Sequence, residues 1–427
     1  MTIIVFTFSL LGSMALGMPI AFALLVCGAA MMFQLDMFEA QIIAQNVVNG
    51  ADSFPLMAIP FFMLAGTVMN AGGLSKRIIN FAISLVGHVR GGLGYVCIIA
   101  SAILASLSGS AAADAAAMSA MLFPMMVQAG HDKKRSAGLI AAGGIIGPMV
   151  PPSSGLILFG VTAGVSISKL FLAAIVPGLL IAASLVVAWW WVARHENVQP
   201  QARKSLKEIA FAFKDGIWAL GMPAIIIFGL KFGVFTPTEA GVVCAVYAIL
   251  VAMYVYKELQ WSQMYDILVS AGMTTAIVMF LVAAALVSAW LIAVADLPQQ
   301  VANMLKPFMD NKMLLMVVIM LLVVVVGTAL DMTPTILILT PVLVPVIKAA
   351  GIDPVYFGVL FIINNAIGLV TPPVGTTLNV VCGVTKTKMD DIIVGVLPFM
   401  YAQLIVLGLM VAFPDIVLVP LQFLSGR

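Results

Sequence analysis

Two proline pairs, each set inside an otherwise apolar helical segment, constrain this chain more than any other feature. They close the stretches Gly147-Pro148-Met149-Val150-Pro151-Pro152 and Gly368-Leu369-Val370-Thr371-Pro372-Pro373. Proline has no N–H to give a helix, and its ring clashes with the preceding turn. Both helices must therefore break. Inside a bilayer a broken helix is tolerated only where its freed backbone groups meet other protein, a cavity or an ion. A break that occurs twice marks a binding site built from both copies.

Composition puts these segments in lipid. Hydrophobic residues make up 63% of the 427 and charged residues 9%, with a mean hydropathy of +1.16. A soluble domain is about half apolar and about a quarter charged. Spanning helices need about 20 apolar residues, whereas barrel strands alternate with period two, and runs such as Phe171 to Val192 follow the first pattern. The expected fold class is an all-α polytopic membrane protein. Candidate spans cover roughly 3–33, 53–71, 77–95, 137–163 (broken), 170–193, 216–234, 238–256, 267–295, 355–384 (broken) and 392–414. No Lys or Arg precedes Lys76, so the first run lacks the basic start of a cleaved leader and is read as a retained span.

Two apolar stretches do not fit simple spans. Val96 to Gln128 is interrupted at Leu107-Ser108-Gly109-Ser110, and Lys312 to Ala349 at Gly327 through Pro334. Arms of about 12–16 residues reach only about 22 Å against a hydrocarbon core of about 30 Å, so each stretch is expected to be a re-entrant hairpin. The hairpins align: Asp114 precedes Pro124 by the same ten residues that separate Asp331 from Pro341. After each comes a Pro-Pro helix and then a matching tail, Gly164-Val165-Ser166-Ile167-Ser168-Lys169 beside Gly383-Val384-Thr385-Lys386-Thr387-Lys388. The unit is an internal repeat.

Charge orients the repeats. Lys76, Arg77, Arg90, Lys133, Lys134 and Arg135 flank the first hairpin. Only Lys306, Lys312 and Lys348 flank the second, offset by Asp296, Asp310 and Asp353. By the positive-inside rule the first hairpin opens from the cytoplasm and the second from the far side. The repeats are thus inverted, the plan of a secondary transporter with a midplane site. The expected division is scaffold 1–90, transport domain 91–193 (hairpin 96–128, broken helix 137–163), cytoplasmic connection 194–215, scaffold 216–311 and transport domain 312–427 (hairpin 312–349, broken helix 355–384). Leu74 to Val89 reads either as an amphipathic interfacial helix or as an ordinary span. Trp218, Trp261 and Trp290 suit interfacial anchoring.

Other classes find little support. The net charge is +2, and no basic stripe interleaved with aromatics suggests nucleic acid. Cys27, Cys97, Cys244 and Cys382 stand singly, without metal or disulfide spacing. His88, His131 and His195 lie in loops or near span ends, so no base sits at the depth of the hydroxyl-rich tips, as a hydrolase would need. There is no GxxxxGK phosphate loop.

At Gly109-Ser110-Ala111-Ala112-Ala113-Asp114, Ile146-Gly147-Pro148-Met149-Val150-Pro151-Pro152-Ser153 and Asn365 through Gly375, the chain resembles the large membrane subunit of tripartite ATP-independent periplasmic (TRAP) transporters, nearly end to end. The resemblance implies an elevator-type, sodium-driven importer of small organic anions in the bacterial inner membrane. It also implies two partners, a small four-helix membrane subunit and a periplasmic substrate-binding protein. Pro151-Pro152-Ser153-Ser154-Gly155-Leu156 and Asp114 look more like the sialic acid members than the dicarboxylate members. The expected substrate is sialic acid (N-acetylneuraminate) or a related sugar acid. A C4-dicarboxylate permease and a stand-alone sodium-carboxylate cotransporter are the alternatives.

The residues suggest how such a site works. A helix break frees carbonyl oxygens, so sodium needs no carboxylate cage. One sodium is expected at Ser108, Ser110, Gly147, Val150 and Pro152, and another at Gly327, Thr328, Gly368, Thr371 and Val374, unless these glycines serve only close packing. No Lys or Arg lies in either tip or break. An anion there must be met by helix N-termini and bound sodium, which makes binding sodium-dependent. Candidate substrate contacts are Ser110, Asp114, Ser153, Ser154, Asp331, Thr376 and Asn379. Asp331 is the sharpest, because a charge at mid-membrane costs at least about 2.5–3.5 kcal/mol; a helix N-cap is its bland alternative. No organic cofactor is expected.

Overall fold

Backbone amides in hydrocarbon must bond within their own segment, and helices are how this chain meets that demand. The structure, a computed structural model, describes residues 2–108, 110–196, 198 and 202–425, with the side chains of residues 3 and 105–108 left outside the description. Among the described residues there are twenty α-helices and no strand.

The chain begins with α1 (Thr2–Ala15) and α2 (Ile20–Gln34). The single span expected over residues 3–33 is therefore two helices, and this corrects the sequence reading. Gly17 adopts φ +81° and Pro19 stands at the N-cap of α2, which together reverse the chain. The Cys27 thiol donates to the Phe6 carbonyl at 3.5 Å, and Gln34 Nε2 to Thr2 Oγ1 at 3.5 Å. The two helices are antiparallel, and at about 22 Å each is too short to cross.

There follow α3 (Ala40–Ala51), α4 (Ala58–Ala71) with a 3-10 turn at Phe54–Met57 before it, and α5 (Leu74–Val86). Leu74, Ile78, Ile79 and Ala82 of α5 are buried while Lys76 and Asn80 are exposed. The amphipathic reading of this stretch therefore holds. The expected span 77–95 is absent, since α5 stops before Gly87 and the next helix starts at Gly92.

The first repeat continues with α6 (Gly92–Ser108), α7 (Ala111–Gln128), α8 (Lys133–Gly144), α9 (Ser154–Ala163) and α10 (Ile167–Ala193). Next come α11 (Leu206–Lys231), α12 (Pro237–Leu250), α13 (Trp261–Val294) and α14 (Leu297–Met309). The second repeat has α15 (Lys312–Ala329), α16 (Met332–Ala349), α17 (Pro354–Gly368), α18 (Thr376–Thr385) and α19 (Met389–Ala412), and α20 (Asp415–Leu424) follows.

Tertiary contacts establish the inversion. Trp189 ties down both feet of the first hairpin: its Nε1 donates to the Gly91 carbonyl at 2.8 Å, and its ring lies 5.3 Å from that of His131. The second hairpin closes its own feet, with Lys312 Nζ donating to the Gly351 carbonyl at 2.9 Å. Helix α19 connects the two ends. Near its start the Val394 carbonyl accepts from Arg135, and near its finish the Met410 carbonyl accepts from Tyr356. The hairpins thus enter from opposite ends of the molecule. Their arms of 17–18 residues are longer than expected, about 27 Å. Shared feet, rather than short arms, make them re-entrant.

The repeats cross at a buried aromatic cluster. Phe159 of α9 lies 6.0 Å from Phe357 and 5.7 Å from Phe361 of α17, ring centre to ring centre. Gly358 admits the Phe159 ring, because a Cβ there would come within 2.3 Å of it. Lipid is as apolar as these rings, so close packing rather than water exclusion holds the crossing together.

Candidate functional site

The second break is stitched to its hairpin tip. Helix α17 ends at Gly368, where a Cβ would come within 2.8 Å of the Gly327 Cα and carbonyl carbon. Two glycines therefore let the tip and the break touch backbone to backbone. Past Pro372-Pro373, the Gly375 N–H donates to the Thr328 carbonyl at 3.4 Å and the Thr377 N–H to the Leu369 carbonyl at 3.2 Å. Thr328 and Thr371 send their hydroxyl protons to the Val325 and Ile367 carbonyls, each at 2.8 Å. Their oxygen lone pairs remain able to face a cation. Val374 is exposed beside them, and its carbonyl accepts from Asn379 Nδ2 at 3.2 Å.

Asn365 adds an oxygen that the sequence reading overlooked. Its Nδ2 donates to the Met332 carbonyl at 3.2 Å, which fixes the amide so that Oδ1 faces Gly327. That Oδ1 is buried and has no hydrogen-bond donor among the described residues. A buried acceptor left unsatisfied costs about 1–3 kcal/mol, so the position suits a small cation. The available signal was an amide pair, Asn364-Asn365, inside an apolar helix. Asn364 does structural work, donating to the Met320 carbonyl at 2.6 Å.

Asp331 occupies the N-cap position of α16 without capping it. Its Oδ1 accepts from Thr376 Oγ1 at 3.4 Å across to the start of α18, and the residue is exposed. Its carboxylate therefore stays available at the junction of hairpin and break. Asn379 is exposed one turn along α18.

The first break is drier. Helix α8 gives way to a 3-10 turn at Gly147–Met149, Val150 is extended, and the axis bends by 43° before α9. Gly147, Pro151 and Pro152 are buried, and both proline pairs of the chain are cis. Ser153 is fully buried; its hydroxyl donates to the Pro148 carbonyl at 2.5 Å and accepts from the Leu156 N–H at 3.3 Å, capping α9. Ser154 is half-buried. Ser110 caps α7, accepting from the Ala113 N–H at 3.4 Å, and Asp114 is 6% exposed in the first turn. A Cβ on Gly144 would lie 3.1 Å from the Ala111 carbonyl, so this tip also reaches its break. The Ser108 side chain and Gly109 lie outside the described residues.

Four helices start near this level: α7, α9, α16 and α18. Helix α9 lies on α16 with Gly155 against the Met332 sulfur, and α7 runs beside α18. Helix N-termini carry partial positive charge. Among the described residues no three His, Cys, Asp or Glu side chains converge, so the oxygens gathered at the breaks are mostly neutral. The arrangement can hold small cations in its breaks and an anion between its helix starts.

Comparison with known proteins agrees with this architecture. The profile of the family described as "Tripartite ATP-independent periplasmic transporter, DctM component" matches residues 7–416. The chain is 54% identical over 425 residues, the full length of both, to the 2,3-diketo-L-gulonate TRAP transporter large permease protein YiaN of Escherichia coli K12. It is 39% identical, over 98% of each chain, to the sialic acid TRAP transporter large permease protein SiaM of Vibrio cholerae. To the C4-dicarboxylate large permease DctM of Rhodobacter capsulatus it is 32% identical, over 95% of this chain and 96% of that one. The YdaH transporter of Alcanivorax borkumensis shares the fold, with a TM-score of 0.62 at 16% identity over 87% of this chain and 88% of that one. An inverted pair of hairpins and broken helices, matched end to end by these relatives, makes the chain a member of the TRAP transporter family, a large permease of the inner membrane and not an enzyme.

Proposed function

We propose that the chain imports a sugar acid by sodium symport, with two sodium ions held at the breaks. One observation carries this reading: each hairpin tip packs on its own Pro-Pro break, where free oxygens and helix starts gather but no Lys or Arg does. An anion bound there depends on sodium for its countercharge. The second site is composed of Gly327, Thr328, Asn365, Gly368, Thr371 and Val374. The first takes carbonyls around Gly147, Val150 and Pro152.

The substrate is a six-carbon keto sugar acid ahead of sialic acid. The motif Pro151 to Leu156 and Asp114 favoured sialic acid, but the relative at 54% identity is named for 2,3-diketo-L-gulonate, against 39% for the one named for sialic acid. Asp331 accepts hydroxyl bonds from such a polyol. Residues 91–193 and 312–427 move as the transport domain against the scaffold 1–90 and 216–311. In the present arrangement α16 and α9 pack against scaffold elements, α13 and the turn at Phe54–Met57. Their repeat mates α7 and α18 instead line an open cavity at the basic end, which supports a cytoplasm-facing state. A small four-helix membrane subunit and a periplasmic binding protein complete the system.

The test is uptake into de-energised proteoliposomes holding the chain with its small subunit, under an imposed inward sodium gradient. Uptake of 2,3-diketo-L-gulonate that requires both sodium and an added binding protein is the expected result. Uptake without sodium refutes the coupling. Uptake of C4-dicarboxylates alone refutes the substrate class, and full uptake without a binding protein favours a stand-alone carrier.

A further inference from the structure

A cavity of about 1040 Å³ opens at the basic end between α7 and the loop after α18. Lys133, Lys134, Lys386 and Lys388 line it, against Asp132 and Asp391. Lys134 is committed to Asp391 at 2.7 Å, and Asp132 Oδ1 accepts the Arg135 N–H at 2.8 Å as the cap of α8. Lys133, Lys386 and Lys388 have no carboxylate within salt-bridge distance among the described residues, so the cavity keeps net positive charge. Ser119 also lines it. Its hydroxyl is buried, at 1% residue exposure, and has no partner among the described residues.

The internal repeat supplies a control. The segment equivalent to Gly383–Thr387 is Gly164–Ser168, which lines a cavity of about 480 Å³ with Ser53–Pro55 and Thr236–Thr238. Among the described residues no ionisable side chain lines that cavity, and Ile167 stands where the second repeat has Lys386. Related backbone thus builds a neutral pocket on one repeat and a cationic one on the other. The wall of the cationic pocket is α7 from Ser119 to Gln128, and Asp114, in the first turn of that helix at the hairpin tip, lies about 21 Å along it from Gln128.

We propose that this basic cavity is a second anion site, distinct from the central one and independent of sodium, that holds the carboxylate of the outgoing solute. The proposal rests on the import reading for the identity of the anion. A solute leaving the breaks parts from its sodium ions. Lys133, Lys386 and Lys388 then supply the countercharge, with Ser119 as a hydroxyl donor, and low-dielectric walls strengthen their field.

Ala120 lines the cavity, is exposed and carries no charge. Ala120→Cys is made with Cys382→Ser; the remaining cysteines are buried. Purified protein in phosphatidylcholine nanodiscs is labelled with anionic and cationic methanethiosulfonates, with rates corrected for intrinsic reactivity. The anionic reagent should label roughly tenfold faster. D-gluconate should slow labelling equally with and without sodium and in Asp331→Asn. Lys133→Gln/Lys386→Gln/Lys388→Gln should abolish both effects. An unchanged reagent preference in the triple variant, or no protection by gluconate, overturns the proposal. Protection that needs sodium and vanishes in Asp331→Asn also overturns it, but places the anion at the central site and leaves the import reading intact. Reagent preference lost on adding phosphatidylglycerol, with gluconate inert, assigns the lysines to lipid headgroups and overturns it as well.

Discussion

Replacing Gly368 with Ala probes the contact on which the proposed second sodium site depends. The new Cβ would lie 2.8 Å from the Cα and carbonyl carbon of Gly327. Carbon atoms prefer about 3.5–4.0 Å, so hairpin tip and break must separate by about 0.7–1.2 Å. Neither partner is a flexible side chain that could swing aside. Overpacking of this kind costs about 1–3 kcal/mol. In the proposed symport sodium draws the same two segments together, so the cost should reappear as a weaker apparent sodium affinity, by about 5- to 150-fold. The assay is initial uptake against external sodium in proteoliposomes at saturating substrate, with folding checked by monodisperse elution and thermal melting. Gly408→Ala in α19 is the control, because nothing lies within 4 Å of its added Cβ. A folded Gly368→Ala protein with the parental sodium curve, or an equal shift in Gly408→Ala, would refute the reasoning.

Three further outcomes are expected. Asn365→Ala removes the buried Oδ1 and the bond to Met332, and should raise the sodium concentration for half-maximal uptake by about tenfold or more while changing substrate preference little; parallel sodium and substrate titrations check this. Asp331→Asn should weaken sugar-acid uptake by about 10- to 150-fold, the worth of a charge-assisted hydrogen bond, and competition with unlabelled polyols should lose its effect. Arg77 pairs with Glu258 at 2.7 Å and Asp215 at 3.4 Å and stacks 3.7 Å from the Tyr256 ring. Burial alone would lower its pKa, but Glu258 and then Asp215 outweigh it and raise it above the usual guanidinium value. A raised pKa keeps its stabilisation present below the unfolded guanidinium value and loses it only as pH climbs beyond the folded one, so Arg77→Ala should cost about 1–2 kcal/mol throughout pH 6–9, read from melting temperature.

The inverted unit was legible because its signals are local. Proline breaks a helix wherever it falls, apolar run length marks a span, and lysine counts distinguish the two ends, so hairpins, breaks and their opposed senses are legible in the sequence. The errors arose where length stood in for contact. Residues 3–33 were apolar throughout, and the weight of Gly17 and Pro19 was missed, so two antiparallel helices looked like one span. The hairpin arms prove long enough nearly to cross, and it takes Trp189 against Gly91 and His131 in the first hairpin, and Lys312 against Gly351 in the second, to show that both feet share one end.

At the site, sequence identified the segments and tertiary structure allotted the atoms. Glycine at 327 and 368 announced close packing, but which backbones meet depends on how α15 lies against α17. Ser153, Thr371 and Asp331 are all hydroxyl or carboxylate groups beside a proline pair or hairpin tip, and spacing cannot separate them. In three dimensions Ser153 spends its bonds inside its own break, Thr371 turns its proton inward, and Asp331 leaves its helix uncapped to reach Thr376. That two helices break, one in each repeat and in opposite senses, follows from residue order, because chain-local sterics and solvation suffice for it. Only the folded chain decided which oxygens remain free, because a polar atom's availability depends on neighbours brought from distant parts of the sequence.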